Sequence, residues 1–144
     1  MFKFEKTIII EKTPHEVFKY IADPSKTPTW RTDVLETKFS SLPLQVGDKI
    51  EEIINFVGQQ KCVVEVVEAV PDQRIAFKVI SGPTYLPLRW LYLEEEEENT
   101  KLTAGISVHT DGFSRLIEPI SSNMFSIKWE TYLFQLKRVL EEAK

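Results

Sequence analysis

The chain closes on one long apolar-periodic segment, Gly112 to Lys144, after a succession of short β-branched runs broken by turn residues. Neither part can bury its apolar side alone, because lone helices and thin sheets are marginal in water. One must therefore cover the other. At 100° per residue Phe113, Leu116, Ile117, Ile120, Met124 and Ile127 project to one side, and Phe125, Trp129, Leu133, Leu136 and Leu140 roughly opposite. The apolar stripe changes sides. Trp129 to Leu140 reads as the piece that clamps a sheet, and Phe113 to Ile127 as the movable wall of a pocket. Pro119, followed by Ser121-Ser122-Asn123, marks a kink or a break within the first of these halves, Phe113 to Ile127.

The segments ahead of it follow from local chemistry. Phe2 to Glu11 alternates and passes through Ile8-Ile9-Ile10, which suits a strand. Thr13-Pro14-His15-Glu16 gives a helix start: Thr13 caps, Pro14 fills the first position and Glu16 completes a capping box. Val17, Phe18 and Ile21 share a face, and Ala22-Asp23-Pro24 ends that helix. Pro24 to Arg31 is too proline-rich for more than a turn or two, with Trp30 tucked beneath it. Short strands are expected over Val34 to Phe39, Lys49 to Val57, Lys61 to Val70, Arg74 to Ile80, Tyr85 to Glu94 and Lys101 to His109. Turns at Gly58-Gln59-Gln60, Pro71-Asp72-Gln73 and Glu98-Asn99-Thr100 are short enough to make neighbours antiparallel.

Composition narrows the function. The 144 residues fit one domain, 1–144, with an ordinary 42% hydrophobic and 28% charged content. A net charge of −4, with Lys and Arg scattered among acids, argues against a nucleic-acid partner. The lone cysteine, Cys62, lies in a Val-rich run and reads as a buried bystander. Charges in Met1 to Lys6 and the lack of a long apolar run point to a cytoplasmic protein without stable membrane insertion, and a monomer is expected. With no Gly-rich phosphate loop, metal-ligand spacing or nucleophile elbow, no cofactor and no metal are expected.

One strand, two short helices, a meander of six strands and a long terminal helix is a distinctive order. Thr7 to Glu11 with Thr13-Pro14-His15-Glu16-Val17-Phe18, Ala22-Asp23-Pro24 with Trp30, Val46-Gly47-Asp48, Val64 to Pro71 and Leu133 to Glu141 carry a resemblance that covers nearly the whole chain. The chain resembles the START and birch-pollen-allergen-like helix-grip superfamily, which includes polyketide cyclase/dehydrase-like proteins. The resemblance implies an α+β helix-grip fold: a strongly curved seven-stranded antiparallel sheet around the C-terminal helix, enclosing a cavity. It implies a hydrophobic small-molecule ligand that is lipid-, polyketide- or quinone-like. Fold does not settle function.

The candidate ligand-binding residues are Trp30, Phe56, Phe77, Tyr85, Trp90, Tyr92, Phe113, Ile117, Met124 and Phe125, which the fold would bring around one interior. On the strand Tyr85 to Glu94 the aromatic face, Trp90 and Tyr92, is taken as the inward one. Arg89 either anchors a carboxylate or, by preference, points to water. His109, at a strand end near the expected cavity rim, is the candidate acid or base. A carrier or binder is the leading expectation, a polyketide cyclase or dehydratase with His109 and a Tyr as proton-transfer groups the alternative. A protein-interaction module, marked by an exposed apolar patch, is a further one.

Overall fold

The computed structural model describes residues 2–55, 58–82, 88–108 and 118–142, with Phe2, Phe4, Val108 and residues 118–125 described as backbone only. Strand β1 (Phe2–Ile10) is followed by α1 (Pro14–Ile21), a 3₁₀ helix (Pro24–Thr29), β2 (Val34–Lys38), β3 (Lys49–Asn55), β4 (Gln59–Val70), β5 (Arg74–Ser81), β6 (Leu88–Glu96), β7 (Asn99–Val108) and α2 (Glu118–Glu142). The strands form one seven-stranded sheet in the order β1-β7-β6-β5-β4-β3-β2, every pair antiparallel. The short helices carry the chain from one edge of the sheet to the other.

Curvature has a local cause. The β4–β5 ladder shifts register between Val63 and Val64 and again between Val66 and Glu68, and β2–β3 shifts between Val34 and Glu36. Each extra residue bends its strand. The concave face collects Ile50, Ile54, Val64, Val66, Ile75, Phe77, Leu91, Leu93, Leu102, Ala104 and Ile106, all buried. Against them α2 lays Trp129, Leu133, Leu136 and Leu140, the clamp expected from periodicity, together with buried Tyr132.

Polar contacts fix the ends of the grip. Lys137 Nζ donates to the Ile9 carbonyl at 2.6 Å and to Glu141 at 2.6 Å, while Glu141 accepts from the Glu11 N–H at 2.8 Å. At the other side Gln135 Nε2 donates to the Thr29 carbonyl at 3.3 Å, and the rings of Trp30 and Trp129 meet edge-on at 6.2 Å. Thr13 caps α1 by accepting from the Glu16 N–H at 3.3 Å, and its hydroxyl donates to the Glu16 carboxylate at 3.1 Å. Asp23 opens the 3₁₀ helix by accepting from the Ser25 N–H at 3.0 Å.

Pro119 is the second residue of α2 as described, in a first turn where a proline removes no needed donor, and residues 109–117 ahead of it lie outside the described residues. Two expectations need correction. The β6–β7 turn falls on Glu97-Glu98, one residue earlier than expected, and both hold positive φ, 51° and 71°. A two-residue hairpin loop demands that left-handed geometry even without the usual Asn or Gly.

The second correction concerns the inward face of β6. Leu91 and Leu93 point into the core, whereas Tyr92 is 41% exposed. The Trp90 indole lies across Gly105 of β7 and donates to the Glu5 carboxylate at 3.1 Å on the convex side. Gly105 has no side chain, so the ring covers bare backbone and shields buried Ala76, its register partner on β5. Aromaticity misled the face assignment because the ring's large apolar area is spent on an outer glycine gap.

Candidate functional site

Between the sheet, the 3₁₀ helix and α2 lies a set of charged side chains within the core. Two strands place them by simple alternation. On β3 the buried face reads Ile50, Glu52, Ile54, and on β6 it reads Arg89, Leu91, Leu93. Glu52 is 3% exposed and Arg89 8%. Two strands separate β3 from β6, so in a flat sheet their backbones would stand roughly 14 Å apart. Here the bend turns both side chains toward the middle, and Arg89 Nη2 donates to Glu52 Oε2 at 2.6 Å.

Arg31 enters from the end of the 3₁₀ helix and completes the cluster. Its Nη1 stands 3.5 Å from Glu52 Oε2 and its Nη2 3.3 Å from Asp33 Oδ2. Its guanidinium also lies 5.5 Å from the centre of the Trp129 ring, and that of Arg89 5.3 Å from Phe77. The two arginines respond differently. For Arg31 burial is the largest influence and pulls its pKa down, but the negative charges of Glu52 and Asp33 outweigh it and the value is raised. For Arg89 burial and then the charge of Arg31 prevail, and the value is lowered. Both remain guanidinium ions at neutral pH.

Tyr132 of α2 faces Asp33. Burial first, and then the charge of Asp33, push its phenol well above the ordinary range, so it stays protonated. Cys62, paired with Glu52 in the β3–β4 register, is buried as expected, and burial raises its thiol pKa. Among the described residues four buried polar atoms here find no protein partner: Trp30 Nε1, Arg31 Nε, Asp33 Oδ1 and Glu52 Oε1. Each such atom costs about 1–3 kcal/mol unless something else satisfies it.

A hollow of about 30 Å³ adjoins this cluster, walled by Ile21, Trp30, Leu44, Ile50, Phe77 and Trp129, with Arg31, Glu52 and Arg89 projecting at its edge. That space suits a water or one small polar group. Outside it, a groove of about 650 Å³ runs between α1, residues 42–46 and the β4–β5 turn. Phe18, Ala22, Leu42, Pro43, Val46, Ala69 and Ile75 make it apolar, and Leu44 lines both spaces. At its rim exposed His15 meets Asp72 at 3.1 Å.

Of the residues singled out in the sequence, Trp30 and Phe77 wall the inner hollow. Trp90 borders it between Arg89 and Leu91 while its indole serves the convex face, and Tyr92 lies outside it. Phe56, Tyr85, His109, Phe113 and Ile117 fall outside the described residues, and Met124 and Phe125 lie where only backbone is described. Arg89 does not point to water: it is held by Glu52. The cluster itself went unread, although a signal existed. Glu52 and Arg89 both break an apolar alternation in phase, with opposite charges.

Among the described residues no helix is long and apolar enough to cross a membrane. Comparison with solved structures finds the same fold widely. A START superfamily protein from Mycobacterium smegmatis superposes with a TM-score of 0.76 at 12% identity, covering 97% of each chain. Ara h 8.0201 gives 0.74 at 12% identity and 99% of each chain. The Aha1 dimer from Colwellia psychrerythraea gives 0.71 at 18% identity, covering 100% of this chain and 99% of that one. Comparison with curated protein sequences found no match. The family model described as polyketide cyclase / dehydrase and lipid transport matches residues 1–141, nearly the full length. The curved sheet closed on a terminal helix and the match along the whole chain agree: this protein belongs to that family, and it shares its helix-grip fold with the START superfamily protein and Ara h 8.0201.

Proposed function

We propose that the protein binds a predominantly apolar small molecule in the space between the sheet and α2, with a polar group of that molecule seated at the Arg31–Glu52–Arg89 cluster. The observation that carries this reading is the unsatisfied set at Trp30, Arg31, Asp33 and Glu52 beside a small hollow in an otherwise apolar core. Buried ions that served packing alone would be replaceable by apolar residues at no loss. A few directed polar groups in apolar walls is the usual composition of a ligand site. Native mass spectrometry of protein purified from its own host, followed by solvent extraction, is expected to reveal a copurifying apolar compound with at least one polar group. If nothing copurifies and no lipid or aromatic compound in a panel raises the melting temperature, the reading is wrong.

A cyclase or dehydratase acting on a polyketide-like substrate is the second reading, favoured by the convergence of two guanidiniums, two carboxylates and the Tyr132 hydroxyl. In it the cluster would hold and polarise a carbonyl. Turnover of a model polyketone that is lost on Arg89→Met would separate it from simple binding.

A further inference from the structure

We infer that the group received at this cluster is neutral and both donates and accepts hydrogen bonds, as an alcohol or phenol hydroxyl does, and that carboxylate and ammonium groups are discriminated against. This rests on the ligand-pocket reading above and specifies its chemistry.

The formal charges settle the first half of the argument. Arg31 and Arg89 face Asp33 and Glu52, so two positive and two negative side chains cancel. Any ion entering adds a net charge to a buried place that has none to offset it. The pairing also uses one oxygen of each carboxylate, Asp33 Oδ2 and Glu52 Oε2, and leaves the other free.

The second half is a matching of donors to acceptors. Of the unpartnered atoms, two N–H donors, on Trp30 Nε1 and Arg31 Nε, and one acceptor, Glu52 Oε1, belong to residues that line the hollow; Asp33, which bears the second acceptor, Oδ1, does not line it and faces Tyr132. A carboxylate could accept from the donors, but it brings no proton for the Glu52 oxygen and repels it. An ammonium could serve that oxygen, but it has no lone pair for the N–H groups. A hydroxyl has one proton and two lone pairs, so it pairs with atoms of both kinds. Size agrees: about 30 Å³ admits a hydroxyl and its first carbon, with Ile21, Leu44, Ile50 and Phe77 for the carbon to touch.

The test uses four probes that share one apolar body: naphthalene, 2-naphthol, 2-naphthoate and 2-naphthylmethylammonium, titrated calorimetrically at pH 7. The expected result is 2-naphthol binding at least about tenfold more tightly than the other three. In Glu52→Gln, which keeps size and leaves the cluster formally at +1, the ratio of 2-naphthoate to 2-naphthol affinity is expected to rise at least about tenfold. Asp33→Asn, at a less buried position, carries the same arithmetic should the first variant not fold. If the wild type prefers an ion, or binds naphthalene as well as naphthol, or if neither variant moves the ratio, the inference falls and the pocket reading survives. If none of the four probes binds, both fall.

Discussion

Removing Glu52 alone is the perturbation that best tests the core of this structure. Glu52 is 3% exposed and, among the described residues, is the ion-pair partner of Arg89, at 2.6 Å, as well as a second partner for Arg31, at 3.5 Å. In Glu52→Ala two buried guanidiniums would share only Asp33, which reaches Arg31 and not Arg89. Breaking a buried pair in this way costs about 3–5 kcal/mol. That is a large share of the roughly 5–15 kcal/mol that holds a domain together. At about 2–4 °C per kcal/mol for a domain of this size, melting should fall by roughly 6–20 °C. The double variant Glu52→Leu with Arg89→Met replaces both ions by apolar groups and keeps the Arg31–Asp33 pair, so its stability should lie within about 1 kcal/mol of wild type or above it. Urea titration followed by tryptophan fluorescence measures all three proteins, and the single variants Glu52→Leu and Arg89→Met complete the cycle that yields the coupling. A Glu52→Ala loss below about 1 kcal/mol, with a coupling below about 0.5 kcal/mol, would refute the claim that these ions are buried and mutually dependent. A stable double variant that no longer takes up ligand would place the cluster's purpose in binding.

Two further expectations follow from the periphery. Gly105→Ala should destabilise by about 1–3 kcal/mol, because the added carbon meets the Trp90 indole and displaces it from Glu5; a urea midpoint within error of wild type would show that the ring is free to move. Glu141 has a lowered pKa: burial, the largest influence, acts upward and is outweighed by the bonds from Lys137 and the Glu11 N–H and by the charges of Lys137 and Lys12. Its contribution is therefore present above the unfolded carboxylate value near pH ~4.3 and is lost as pH falls through the lower folded value. Glu141→Gln should cost up to about 1 kcal/mol at pH 7 and close to nothing near pH 3; an equal loss at both values would show that the charge is irrelevant.

Much of the architecture was legible because local chemistry and global fold agree. Thr13, Pro14 and Glu16 start a helix wherever they stand together, and the turn residues between β-branched runs divide the meander without reference to its partners. Trp129, Leu133, Leu136 and Leu140 form the clamp because their spacing matches the helical period, which is a property of the segment alone. The buried status of Trp30 and Cys62 was read in the same way.

What tertiary structure decided is everything that depends on two segments meeting. The face of β6 that looks inward turned on Gly105, fifteen residues further along, and no pattern within β6 holds that information. The site is the sharper case. Arg31, Asp33, Glu52 and Arg89 come from three parts of the chain, and each by itself reads as an ordinary surface charge. Alternation hints that Glu52 and Arg89 are on buried faces, but an ion is admitted to a core only when its counter-ion arrives with it. That arrival depends on register shifts in β4–β5 bending the sheet until strands three places apart bring their side chains together. Sequence by itself determined the order of elements and the apolar stripe that holds them; the curvature determined that a pair of acids and a pair of arginines would share one buried place.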